Sequence, residues 1–498
     1  MAILTRPNPS QEAHPAQAQP PRVRGSAGLW LWPALVTLAV TVFQISGPQL
    51  VTDELVTWDV ARRDLGQILA TLHNVDAVHG TYYILMHGWM ALFGDSVLAL
   101  RLPSALAMVG TAALVALIGH RLFGRQAGMY GGLLFALIPA VSRYAQEARS
   151  YALVVLATAL AMFLLLRAWE VPRSRGRWAA YSLGLVVVGL LHLVALAVLL
   201  GHLLATVVRT RYERGALWGF GLAVMAGGAC VVPLALAGRS QVGRQLWYVP
   251  RPDAWGLVDI WPKLFASALC AGVVIALAVV APKERRDAFV LCVALAVLPP
   301  LVVWAASHGD ISYFRFQYLL ITLPAWAVLA GAGLATAAPS WATAAAAIAA
   351  IALLVLPEQH KLREQYAHHD DVPTDYVAAA ATIMKYHRPG EAVVFNRDGP
   401  AWMLDQGVRY YLPHDLKMRE VFQKASAADN NELFPTYCPK PAECLQDESR
   451  MWLVVPGNRP DPLDAIPKDQ ADALRAKYKF YGAERVPGVT VALLERMP

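Results

Sequence analysis

Runs of about 17–25 apolar residues with few charges recur along the first 357 residues, each long enough to cross a ~30 Å hydrocarbon core as a helix. No water is available in that core, so every backbone N–H and C=O must be paired within the chain. A chain built from such runs therefore folds as a helical bundle. Candidate spans fall at 28–46, 97–120, 127–141, 149–168, 178–192, 193–208, 216–237, 264–281, 288–306, 316–334 and 341–356, which predicts about eleven transmembrane helices. Composition agrees: 56% of residues are hydrophobic and 16% charged, where a soluble protein carries about a quarter charged. Past Pro357 the polarity becomes ordinary. Three parts are expected: a disordered cytoplasmic tail (1–27), a transmembrane domain (28–357) and a soluble domain (358–498). The tail is rich in Pro, Gln and Ala. No small-residue cleavage site follows the first apolar run, so that run is expected to remain as a span.

Charge sets the topology. With the amino terminus inside, the short inside loops hold Arg121 and Arg125, then Arg173, Arg175 and Arg177, then Arg209, Arg211 and Arg214, then Lys283, Arg285 and Arg286. This is the positive-inside pattern, and it explains the net charge of +7 without nucleic acid as a partner. An odd number of spans then places the soluble domain outside, in a multi-pass protein of the plasma membrane. Cys438 and Cys444 lie close together in a Pro-rich loop of that domain, and a disulfide between them suits an oxidising compartment. Cys230, Cys270 and Cys292 lie in apolar spans and read as packing residues.

The same topology collects Asp53, Glu54, Asp76, His79, Arg143, Glu147, Arg149, Arg239, Arg244, His308, Asp310 and Arg315 at the outer face. Ionisable groups at a membrane boundary are costly unless they pair or act, so a site is expected there. The first outer loop, about 47–96, carries an amphipathic stretch (Trp58, Val60, Leu65, Ile68, Leu69, Leu72) over Arg62-Arg63-Asp64, which predicts a helix lying in the interface plane.

The order of motifs resembles the GT-C superfamily of integral-membrane glycosyltransferases, above all the bacterial relatives of protein O-mannosyltransferases and of lipid A aminoarabinose transferases. Asp53-Glu54 stands where that family has an acidic pair after its first span. His79-Gly80-Thr81-Tyr82-Tyr83 resembles its His-Pro-Pro-Leu-Tyr-Tyr motif, with Gly80-Thr81 in place of Pro-Pro-Leu. Leu92-Phe93-Gly94, Arg101-Leu102-Pro103-Ser104, Gln146-Glu147-Ala148-Arg149-Ser150-Tyr151 and Tyr313-Phe314-Arg315-Phe316 follow in the family's order. The Asp-Ala-Val-His-Gly form of the second motif is similar to a branch of mannosyltransferases.

The resemblance implies a polyprenyl-phosphate sugar donor and transfer at the outer face, by one displacement, to a glycan, glycolipid or protein acceptor. It makes Asp53 the candidate general base, with Glu54 or Glu147 orienting the acceptor or binding a cation. Arg149 and Arg315 are candidates for the donor phosphate, joined by His79, Tyr82 and Tyr83. Asp76, Glu147 and Arg143 are candidates for orienting substrate. No cofactor is implied, although some members use a divalent cation; the outer acids lack ligand spacing, and His368-His369-Asp370-Asp371 is the one metal-like tract. Arabinofuranosyl or other pentosyl transfer is the alternative within the superfamily. A lipid or sugar transporter would predict mid-span charges and paired broken helices. A non-catalytic scaffold would leave the acidic pair and the arginines unexplained.

In the soluble domain the pattern predicts helices over 373–388, 400–411 and 467–479 and strands over 391–395, 451–455 and 489–494, a small α/β fold. It has no nucleophile elbow, zinc spacing or dinucleotide fingerprint.

Overall fold

The computed structural model of the chain describes residues 27–210, 214–369, 373–396 and 403–498. Nearly all of the expected tail, and Asp370-Asp371, lie outside them. All eleven apolar segments are helical, from Ala27–Val42 to Trp341–Lys361. Among the described residues six helices are long and apolar enough to cross a membrane, or seven if Gly256–Phe265 and Ala268–Val279, bent by 100°, form one broken span. The chain is thus a multi-pass membrane protein, though length and composition alone support fewer crossings than eleven.

Packing follows from the sequence of each helix. The most enclosed span, Phe316–Ala337, is 89% buried, and small residues let it approach its neighbour. A Cβ on Gly331 would collide with the backbone of Ala127 and Gly131. The outlying Trp341–Lys361 span is 17% buried and turns Leu353 and Leu356 outward, as a lipid-facing surface requires.

At one end of the bundle the basic loops meet. Arg121 and Arg177 both pair with Glu170, Arg209 pairs with Asp287, and Arg285 donates to the Leu122 carbonyl. The loops that the positive-inside rule assigned to one side therefore do share one end.

At the other end the outer loop forms three helices, Thr52–Ala61, Leu65–Asn74 and Gly80–Phe93. The expected interfacial helix is broken. Asp64 caps the second helix by accepting from the Gln67 N–H, and Arg63 is drawn inward to Asp59, Thr71 and the Glu432 carbonyl. Of the two pieces, only the second keeps large exposed apolar side chains, Leu65 and Leu69. Leu55, Val56, Trp58 and Val60 of the first are buried, because the soluble domain covers them.

That domain is a four-stranded sheet of order β1-β4-β6-β5 beside a two-stranded ribbon. The strands are β1 (Ala392–Phe395), β2 (Gln423–Ala425), β3 (Thr436–Tyr437), β4 (Arg450–Pro456), β5 (Tyr478–Val486) and β6 (Val489–Arg496). β1 runs parallel to β4, and the other sheet pairs are antiparallel. Side chains alternate between faces. Trp452, Val454, Val491 and Leu493 point to one core with Tyr376, Leu404, Leu50, Leu55 and Trp58; Met451, Leu453, Ala492 and Leu494 point to another with Leu474. One face of the sheet thus shares its core with the outer loop. Gln49 is clamped to Asp375 and the Tyr376 N–H, the Tyr411 hydroxyl oxygen accepts from the Leu50 N–H, and Trp58 packs edgewise on Tyr410. Cys438 and Cys444 form a disulfide.

Two sequence expectations need correction here. Helix 467–479 stops at Lys477, and the next nine residues are β5, a strand absent from the sequence-based expectation. It is an edge strand with an exposed row of side chains, so it lacks the apolar alternation that marks a half-buried strand. Gly488, at φ 71°, turns β5 into β6.

Candidate active site

Consecutive helical residues point about 100° apart, and this separates the acidic pair at the start of Thr52–Ala61. Glu54 faces inward and is fully buried; Asp53 faces the cleft with 42% of its side chain exposed. Glu54 accepts from Arg101 Nε and Nη2, both at 2.8 Å, from the Val51 N–H at 3.1 Å and from the Ala148 N–H at 2.9 Å. The other Arg101 donors go to the carbonyls of Ile45, Pro48 and Gln49. Both charges are saturated, so Glu54 fastens the entry of the helix to the Val97–Phe123 span.

The Gln146–Arg149 segment supplies the facing wall. Gln146 donates to the carbonyls of Thr41 and Phe43, closing the end of the first span. Glu147 pairs with Arg143, and its carbonyl accepts from Ser104. Burial pushes the Glu147 carboxyl up, opposed by the Arg143 charge. Arg149 alone of this segment reaches the cleft. Its Nε lies 3.6 Å from Asp53, Nη1 3.4 Å from the Tyr83 hydroxyl and Nη2 3.4 Å from His79 Nε2. A guanidinium only donates, so His79 must accept through Nε2. Burial, helped by the Arg149 charge, pushes the His79 imidazole down to about 3 and keeps it neutral.

Asp53, His79, Tyr83 and Arg149, four of the residues named from the sequence, thus meet. Tyr82 is buried in the core beneath the soluble domain. Asp76 accepts from Tyr83, and Arg143 and Glu147 hold each other behind the cleft. Arg315 lies beside it, 5.6 Å from the Tyr248 ring and 3.3 Å from Gln317 Oε1, in the field of Asp53. Of the four site arginines, 101, 143, 149 and 315, it alone has no carboxylate within ion-pair distance among the described residues.

Several neighbours carry no motif that would have marked them. His192 packs 4.4 Å from the Tyr318 ring, and Tyr318 stands 6.4 Å from Tyr151; these three line a small hollow with Gln317. The only signal for His192 is an imidazole amid apolar residues. Gln245 reaches Asp76 from 169 positions away. No group of three or more His, Cys, Asp or Glu side chains suited to a metal occurs among the described residues. His368 is buried, with its carbonyl toward Arg143.

The fold matches solved structures over almost its whole length. ArnT from Cupriavidus metallidurans, bound to undecaprenyl phosphate, is 15% identical, with a TM-score of 0.64 over 94% of this chain and 98% of that one. The apo state of the same protein gives 16% identity and a TM-score of 0.63 over the same shares. The chain has the GT-C fold. Residues 81–235 match the family described as dolichyl-phosphate-mannose-protein mannosyltransferase, a stretch that holds His79's neighbours Tyr82 and Tyr83 and the whole Arg143–Arg149 wall. In its fold and over that matched stretch the chain is similar to membrane glycosyltransferases of the GT-C superfamily. No curated protein sequence matches it.

Proposed function

We propose that the chain transfers a sugar, mannose in the first instance, from a polyprenyl-phosphate donor to a hydroxyl of a cell-envelope or protein acceptor, with Asp53 as general base. The observation that carries this is the division of the acidic pair. Glu54 is sealed against Arg101, while Asp53 stands open to the cleft beside Arg149. In the proposed step the acceptor hydroxyl gives its proton to Asp53 and its oxygen attacks the anomeric carbon. The bond from that carbon to the phosphate oxygen breaks, and polyprenyl phosphate leaves with the electron pair. Arg315, which has no carboxylate within ion-pair distance among the described residues, and Arg149 stabilise the departing charge. Mannose is favoured by the matched family; a pentosyl donor is the competing possibility.

Under this reading the amino terminus is cytoplasmic, on the side of the basic loops, and the site and soluble domain lie outside the plasma membrane. The Cys438–Cys444 bond is in keeping with that side.

The test is release of polyprenyl phosphate by purified protein given polyprenyl-phosphate mannose and a membrane lipid extract. Asp53→Asn should lower turnover by about 10²–10⁴-fold, the usual contribution of a general base, while unfolding at the wild-type temperature. Full turnover in Asp53→Asn would remove the base assignment, and activity only with a pentosyl donor would change the sugar. No turnover with any lipid-linked sugar would sink the function proposed.

A further inference from the structure

Asp76 enters the site from a strained backbone. Its φ of 60° and ψ of 24° lie in the left-handed region, which side chains other than Gly, Asn and Asp seldom adopt. The carboxylate is buried with both oxygens engaged: Oδ2 accepts from the Tyr83 hydroxyl at 2.6 Å and Oδ1 from the Gln245 amide at 2.8 Å. Tyr83 has then used its proton, and its oxygen offers only lone pairs to Arg149 Nη1 at 3.4 Å. The direction of the chain is forced, with amide and hydroxyl donating to carboxylate and guanidinium donating to hydroxyl. One turn earlier on the Arg214–Gln245 helix, Gln241 accepts from the Ala77 N–H at 2.9 Å and donates to the carbonyls of Leu72 and His73 at 3.0 and 3.2 Å. The end of that helix therefore clamps the Leu72–Ala77 loop through both glutamines.

We infer that Gln245 and Asp76 are positioning residues that act through Tyr83 to hold Arg149 for the donor phosphate; the inference rests on the function proposed above. Arg149 is held on three sides. Tyr83 and His79 draw its two Nη atoms away, so that only Nε faces Asp53, at 3.6 Å. Released from Tyr83, the guanidinium would turn both Nη groups onto Asp53, the nearest exposed carboxylate. That would occupy the phosphate ligand and the base together. Asp76, named from the sequence as a group that orients substrate, is by this account a support for Arg149, one residue removed from substrate.

Three variants of the full-length protein in detergent test this, with the Kd for undecaprenyl phosphate and the unfolding temperature as readouts. Asp76→Asn removes the charge and tolerates the left-handed backbone, Gln245→Leu removes the amide, and Tyr83→Phe removes the hydroxyl. Each should weaken binding by about tenfold. The double variant Asp76→Asn/Tyr83→Phe should bind no worse than the weaker single, because both break one chain. Unchanged binding by Tyr83→Phe overturns the inference. So do losses that multiply in the double variant, or losses that merely follow the unfolding temperature across all three. Wild-type protein that does not bind undecaprenyl phosphate would sink the donor assignment itself. Binding by the wild type with indifferent variants would sink only the positioning role.

Discussion

The two ends of the helical bundle use the same ion-pair chemistry with different results. At the basic end Arg121, Arg167 and Arg177 share Glu170, with side chains 29–45% exposed. At the domain end Arg101 meets Glu54 with neither exposed at all, Arg143 meets Glu147 nearly as deeply, and Arg149 meets Asp53. Water screens the first group, so it records topology and little else. In the second group the Arg101–Glu54 pair is sealed from water, and each charge there must be answered by a specific partner. The incompletely answered ones, Asp53 and Arg315, are the groups assigned to chemistry.

That contrast can be broken at graded points. Glu54→Ala should have the largest effect, about 3–5 kcal/mol of stability, because it leaves Arg101 buried without a counter-charge; a near-normal unfolding temperature would show that water enters beneath the soluble domain. Arg315→Ala should leave unfolding unchanged and weaken undecaprenyl phosphate binding by about ten- to a hundredfold, the value of a charge-assisted hydrogen bond. Acidification comes next. His79 is held neutral with its folded pKa near 3, below the ordinary 6.5. The unfolded chain therefore binds an extra proton between those values, so stability is full above about pH 6.5 and is lost as pH falls toward about 3, by up to about 1.4 kcal/mol per unit. An unfolding-temperature series over that window should slope downward with acid, and less steeply in His79→Asn. Arg177→Ala, at the basic end, should change stability by no more than about 0.5 kcal/mol, and a larger loss would mean that end is more than a topology marker.

Much of the fold was readable because lipid and water impose different composition. Apolar runs located all eleven helical segments, and their intervening arginines grouped loops that the structure brings together. β1, β4 and β6 announced themselves by apolar runs, whereas β5, with Lys479, Glu484 and Arg485 along its open edge, did not. At the site, motif order pointed to Asp53, His79, Tyr83, Arg149 and Arg315. It named Asp53 as the base and gave Glu54 a place at the acceptor, but could not show Glu54 sealed against Arg101, 47 positions away. Gln245 and His192 were invisible for the same reason, since each belongs to the cluster only through helix packing. The break at Arg62-Arg63-Asp64 was hidden by an apolar pattern that continues across it.

The core joining the soluble domain to the outer loop has a consequence for how the chain is made. Gln49 and Asp375, which clasp each other there, are 326 positions apart. A ribosome adding 5–20 residues per second needs roughly a quarter of a minute to a minute to cover that distance. Throughout it Leu55, Trp58 and Val60 wait at the bilayer surface with no sheet above them. Chains that terminate early would present that bare apolar face permanently.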